Sequence, residues 1–239
     1  MKQHVIDCET ALGIWARRRK GDIAGFTVPR QNIAAVVARQ DSLLRVLDFL
    51  ENKLRVDLKE AQLLDVGCAS GYGLTPFLVA GFSSSQLHGI DLFEDRIKRG
   101  RSSYPGLQLN LGDATEMGMF PDCSFDVVME QFCFCHVQND DTVSKIAKQM
   151  LRVVKPGGFI LIHDWVVGSK KRAYNGISLS KIRRMFDVGD KTEIVARFPS
   201  KLFPPVGRLL SSYCPSLYPL VRSLLPFLTL SKFTVMRRK

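Results

Sequence analysis

The chain has 239 residues, 46% of them hydrophobic, and a formal charge of +11. That length suits one sizeable domain with additions, and the apolar fraction excludes a disordered chain. The charge points to nucleic acid, an anionic membrane surface or an acidic small molecule, or to solubility alone. Because no N-terminal apolar core with a cleavage site occurs, secretion is not expected. The longest apolar region, residues 213–230, is cut by Pro215, Pro219 and Pro226, carries Arg222, and makes a poor membrane span.

In chain order, residues 1–41 form a polar, basic extension with Arg17-Arg18-Arg19-Lys20 at its centre. Asp41 or Ser42 then caps a helix whose expected apolar face is Leu43, Leu44, Leu47, Phe49 and Leu50. Beyond it, short apolar runs alternate with helical patterns. The predicted strands are Gln62–Val66, Gln86–Ile90, Leu107–Leu111, Phe125–Met129 and Phe159–His163. Helices are predicted at Tyr72–Ala80, Phe93–Arg101 and Asp141–Val153, with Pro76 in the first turn of the earliest, where a missing N–H costs little. Lys155-Pro156-Gly157-Gly158 ends a helix and launches a strand. The alternation implies an α/β fold, a parallel sheet with helices on both faces. After Asp164 the pattern changes to a short helix (Ser178–Phe186) and strands at Glu193–Phe198 and Lys232–Arg237. These two strands are separated by a Pro-rich, apolar and basic segment, residues 199–230.

The richest stretch is Leu63-Leu64-Asp65-Val66-Gly67-Cys68-Ala69-Ser70-Gly71-Tyr72-Gly73, a strand that breaks into a glycine-rich loop and enters a helix. In an open α/β sheet, ligands bind outside the carboxyl ends of the strands. Successive strand ends here deliver Asp65 with the loop, then Gly89-Ile90-Asp91, then Gly112-Asp113-Ala114, then Glu130-Gln131. Each acid alone reads as a cap or turn former; three on successive ends beside a glycine loop read as a ligand site. The loop runs G-x-x-x-G-x-G, not the dinucleotide G-x-G-x-x-G. An acid beside it also suits a cationic ligand better than a pyrophosphate.

These motifs, with Phe125-Asp126-Val127-Val128 and Leu151-Arg152-Val153-Val154-Lys155-Pro156-Gly157-Gly158, come in an order that resembles the class I S-adenosylmethionine-dependent methyltransferases, in particular the type 11 group. The resemblance covers about residues 42–165. It implies a three-layer sandwich around a mostly parallel, seven-stranded, Rossmann-like sheet whose last strand is antiparallel. It divides the chain into an extension and partial lid (1–41), a cofactor-binding core (42–198), an insertion serving as lid or membrane contact (199–230) and the last strand (231–239). Asp65, Gly67 and Gly71 would surround the methionine end of S-adenosylmethionine. Asp91 with Leu92 would hold the ribose, and Asp113 with Ala114 would meet the adenine; Glu130 and Gln131 complete the set. Ala69 stands where the family commonly has Gly, and a loop that keeps negative φ there accommodates it.

Methyl transfer to oxygen calls for a base near the hydroxyl. His136, after strand four, is the first candidate, and His163 with Asp164 at the end of strand five the second. Relatives acting on sterols or amino head groups place an acid four residues before this histidine, where Phe132 stands here, which points away from those acceptors. Cys133-Phe134-Cys135-His136 lacks C-x-x-C spacing and a second pair, so no metal is expected. Six cysteines without a disulfide framework fit a reduced, cytoplasmic compartment. No acid follows Glu193, whereas Arg197, Lys201, Arg208, Arg222, Lys232, Arg237, Arg238 and Lys239 do. The basic, apolar segment therefore reads as a lid, as a contact with an anionic membrane surface, or as both. The expected acceptor is a small molecule or a lipid- or sugar-linked one. An RNA methyltransferase and a non-catalytic cofactor-binding subunit are the alternatives. The first lacks a recognisable RNA-binding module and an Asn-Pro-Pro-Tyr-like tetrapeptide after strand four.

Overall fold

The computed structural model describes residues 32–169 and 174–239; Arg17-Arg18-Arg19-Lys20 and most of the 1–41 extension lie outside the described residues. Seven strands form one sheet in the order β3-β2-β1-β4-β5-β7-β6. These are β1 (Leu63–Val66), β2 (Leu87–Asp91), β3 (Gln108–Leu111), β4 (Phe125–Gln131), β5 (Val154–Trp165), β6 (Thr192–Pro199) and β7 (Ser231–Arg238). Neighbouring strands from β3 to β5 pair parallel, and β7 runs antiparallel to both β5 and β6. The order reverses between β1 and β4, the switch point at which such sheets bind ligands.

Alternation along each strand supplies two buried faces. Leu63, Val127, Met129, Leu161 and Val235 pack against one layer of helices: α1 (Ile33–Asp48), α2 (Thr75–Val79) and α3 (Glu94–Ser103). Leu64, Val66, Val128, Ile160 and Ile162 pack against the other, α4 (Asp140–Val153) and α5 (Leu179–Met185). The three-layer expectation is met. In α4, Val143, Ile146, Ala147, Met150 and Val153 share one buried face, and each large side chain there contributes about 2 kcal/mol of burial. Asn139 caps α4 by accepting from the Asp141 amide at 2.8 Å, worth about 1 kcal/mol.

Two local expectations are corrected. First, α1 begins at Ile33, so Asp41 and Ser42 lie within the helix and cap nothing, the 41/42 division falls inside it, and Leu44 is exposed. Second, Lys155-Pro156-Gly157-Gly158 belongs to β5, where the pairing with β4 shifts register, and Gly157 takes φ +77°.

Between β6 and β7 the chain forms α6 (Pro204–Tyr213) and α7 (Leu217–Leu224). Leu202 and Tyr218 of this segment pack against Ala34 and Ala38 of α1. Arg222, 4% exposed, donates to the Ala38 carbonyl at 2.9 Å and to Ser42 Oγ at 3.1 Å, and it pairs with the Asp41 carboxylate. The two polar residues that resemble a helix cap in the sequence are thus the docking point of a distant arginine. No helix among the described residues is long and apolar enough to cross a membrane.

Candidate active site

The glycine loop is held against β2 by backbone bonds from Gly67 N (2.8 Å) and Cys68 N (3.1 Å) to the Ile90 carbonyl. Gly67 has φ +74°, and a Cβ there would stand 2.5 Å from Cys133 Sγ, so only glycine lets the turn after β4 close on the loop. Ala69 does not keep negative φ. It sits at φ +51°, which corrects the sequence reading and places a side chain where the backbone favours glycine. The strain is offset by a bond from the Ala69 amide to Asp91 Oδ2 at 2.8 Å.

One cleft gathers half of the expected cofactor residues. Gly67, Asp91, Leu92, Asp113, Ala114 and Phe132 are among its walls, and it opens to solvent. Asp91 is buried; its carboxylate accepts from the Ala69 and Phe93 amides, and burial pushes its pKa up against the opposing pull of Arg96. Those two bonds orient the carboxylate and leave lone pairs for a diol. Asp113 Oδ1 accepts from the Thr115 amide and hydroxyl, both at 2.8 Å, which fixes the turn beside Ala114.

Asp65, Glu130 and Gln131 lie toward the other end of the loop. Asp65 is 2% exposed, Oδ1 has no hydrogen-bond partner among the described residues, and burial pushes its pKa up to about 8. Glu130 is fully buried and raised well above the usual carboxylate range, chiefly by burial, with the Asp164 charge adding to it. Its Oε2 accepts from the Cys133 and Phe134 amides, holding the turn after β4, while Oε1 is unpartnered among the described residues. Two orphaned carboxylate oxygens in a buried site match a ligand that brings positive charge, as the ammonium and sulfonium of S-adenosylmethionine do.

The two histidines separate. His136 shares the cleft with Asp91 and Asp113, on the side expected for the nucleoside; burial and then Arg96 lower its pKa, and Nδ1 lacks a partner among the described residues. His163 is 0% exposed, stacked on Phe233 at 3.8 Å and edge-on to Phe132 at 4.5 Å, with Nε2 at 3.1 Å from Ser200 Oγ. Sealed in this way, it reaches no acceptor. Cys133, Cys135 and His136 follow one another on a short 3₁₀ turn, and no group of three potential metal ligands occurs among the described residues.

Sequence reasoning missed Arg39, Trp165 and the role of Lys201. Arg39 reaches from α1 to Gln131 Oε1 at 3.1 Å, and Gln131 Nε2 donates to the Gly73 carbonyl at 3.3 Å. Its charge also opposes the burial of Asp65. No spacing rule joins residues so far apart. The available signal was an arginine on the helix that precedes the first strand.

Comparison with known proteins agrees with this geometry. Residues 64–162 match the family model described as a methyltransferase domain. Phthiotriol/phenolphthiotriol dimycocerosates methyltransferase 1 of Mycobacterium ulcerans is 32% identical over 114 residues, 46% of this chain and 39% of that protein. The 2-methyl-6-phytyl-1,4-hydroquinone methyltransferase of Synechocystis is 34% identical over 106 residues, 43% of this chain and 31% of that protein. A rice 24-methylenesterol C-methyltransferase 2 is 31% identical over 136 residues, 55% of this chain and 35% of its own, despite Phe132. The match thus spans under two fifths of each of these relatives. Among solved structures, the magnesium protoporphyrin IX methyltransferase of Synechocystis, determined with bound S-adenosylmethionine, shares the fold. Its TM-score is 0.63 at 15% identity, over 99% of this chain and 95% of that one.

Proposed function

We propose that the chain, whose residues 64–162 match the methyltransferase-domain family model, is a class I S-adenosylmethionine-dependent methyltransferase that methylates a small or lipid-linked acceptor, at oxygen. The observation that carries this reading is the single cleft in which Gly67, Asp91 and Asp113 meet, beside the buried Asp65. Asp91 accepts from the ribose hydroxyls, and Asp113 with Ala114 flanks the adenine. Asp65 faces the ammonium, and Arg39 is placed to hold the carboxylate. When bound, the cofactor supplies an activated methyl group on a sulfonium. The chain's own contribution is alignment and the exclusion of water.

The lipid-linked reading is supported by the outer face of the insertion. Leu209, Tyr213, Leu220, Leu224 and Phe227 are between 53% and 78% exposed, while Tyr218 and Arg222 point inward. An exposed apolar face, on a segment that carries no acid and keeps Arg208 partly exposed, suits a peripheral position on a membrane surface. Calorimetry with S-adenosylmethionine and transfer of labelled methyl to a host lipid extract test the reading. No binding overturns it, and transfer to RNA in place of lipid overturns the acceptor class.

A further inference from the structure

Lys201 approaches the site from the opposite side to the nucleoside cleft. It is the second residue after β6, and the returning chain pins its backbone: its amide donates to Ser231 Oγ at 3.0 Å and its carbonyl accepts from Leu230 N at 2.9 Å. The side chain then crosses the ends of β4 and β5. Nζ lies 4.1 Å from the centroid of the Phe132 ring and 5.7 Å from that of Trp165. Phe132 also lines the cofactor cleft, so one ring separates the lysine from the space assigned to the cofactor. Phe132, Trp165 and Tyr174 are all half-buried, with Trp165 5.4 Å from Phe132 and 5.8 Å from Tyr174.

Among the described residues no carboxylate pairs with Nζ. The charged and titratable groups facing it are Arg39 from α1, Asp164 and His163 from β5, and Cys135 from the turn after β4. Burial first, and then Arg39, push its pKa down to about 7, with Cys135 and Asp164 opposing. An amine in that range accepts protons at neutral pH, which an ordinary lysine does not. His163 is sealed and His136 faces the nucleoside side, so neither competes for this position.

We propose that Lys201 is the general base for methyl transfer to a planar hydroxyl, phenolic or enolic, held against Phe132 and Trp165. The inference rests on the methyltransferase reading. The hydroxyl proton passes to neutral Nζ as the oxygen takes up the methyl group. The sulfur keeps the electron pair of the broken C–S bond, and the lysine ammonium later returns its proton to solvent. The flanking rings select a flat acceptor, and the amine selects one with an acidic hydrogen.

The test reads the lysine itself. In protein reductively dimethylated with ¹³C, the Lys201 resonance, identified by its absence from Lys201→Arg, should titrate near 7. Its midpoint should fall by about one unit when S-adenosylmethionine replaces S-adenosylhomocysteine, since the two differ by one positive charge on sulfur. Lys201→Met, which keeps an apolar stem on Phe132, should bind S-adenosylmethionine within about twofold of the unaltered chain. The same variant should lower transfer to lipid extract by about 100-fold and abolish its rise with pH through 7. A midpoint near that of an ordinary lysine, or one identical with the two ligands, overturns the proposal alone. Failure of both ligands to bind overturns the methyltransferase reading together with it.

Discussion

The Ala69 amide donates to the Asp91 carboxylate at 2.8 Å from a left-handed backbone, φ +51°. The acid at the end of β2 therefore shapes the loop after β1 before it meets any ligand. Replacing Ala69 by Gly removes the Cβ strain and should stabilise the chain by about 1 kcal/mol, raising Tm by about 2–4 °C. Affinity for S-adenosylmethionine should be unchanged. Thermal denaturation and calorimetry on the same protein check both parts, and a lower Tm would show that the alanine is not strained.

Asp91→Ala removes the loop bond as well as the proposed ribose acceptor. S-adenosylmethionine affinity should fall by about 100-fold, equivalent to two charge-assisted hydrogen bonds at the low end of their usual worth. Asp91→Asn, which keeps one acceptor oxygen, should lose less. Equal affinity for the alanine variant and the unaltered chain would remove Asp91 from the site.

Asp65 sets a pH dependence whose sign follows from its raised pKa. In the folded chain it keeps its proton up to about pH 8, whereas an unfolded chain releases it near about 3.9. Between those values the folded state binds more protons, so the stability of the ligand-free protein falls as pH rises from about 4 to about 8 and levels off above. A cationic ligand favours the ionised carboxylate. Binding should release a proton below pH 8, and affinity should rise with pH by up to about tenfold per unit between 6 and 8. Calorimetry in two buffers of different ionisation enthalpy measures that proton, and Asp65→Asn should abolish it.

Arg222→Met deletes the bonds to Ala38, Ser42 and Asp41. The cost should be about 2 kcal/mol, that of charge-assisted hydrogen bonds whose carboxylate partner keeps contact with water. Hydrogen exchange should rise in α6, α7 and the first half of α1 while β1 to β5 keep their protection. Uniform loss across the sheet would mean that the insertion is integral to the core.

Leu220→Glu with Leu224→Glu places charge on the exposed face of α7. Co-sedimentation with vesicles containing a third phosphatidylglycerol should be lost, while affinity for S-adenosylmethionine is kept. The unaltered chain should bind such vesicles less tightly as salt rises. Retention by the double variant would place the membrane contact elsewhere.

Strand periodicity and turn residues were local signals, and all seven strands were legible from them. The acids of the cleft, Asp91 and Asp113, were equally readable because a strand end fixes where a side chain emerges. The start of α1 was not. Gln40-Asp41-Ser42 has the composition of a cap, and only the docking of Arg222 from a segment far along the chain explains polar residues at that depth. Ala69 was misjudged because φ is set by the bond to Asp91, which adjacent residues do not encode. His163 looked reactive as a strand-end histidine, but Phe132, Phe233 and Ser200 enclose it from three elements. Lys201 and Arg39 acquire meaning only when the insertion and α1 fold over the sheet.

The insertion leaves and rejoins the sheet at one point: Ser200 N bonds to the Ser231 carbonyl at 2.9 Å, Leu230 N to the Lys201 carbonyl at 2.9 Å, and Phe203 N to the Leu228 carbonyl at 2.7 Å. Residues 204–227 therefore hang from a closed two-stranded stem, outside the β6–β7 pairing. A unit attached in this way, and docked on α1 through Tyr218 and Arg222, lies outside the strand order. Reshaping its helices for another acceptor or another surface thus has to preserve that docking and the stem, not the pairing of β6 with β7. Lys201 sits in that stem, so the proposed proton acceptor stays with the scaffold when the helices change.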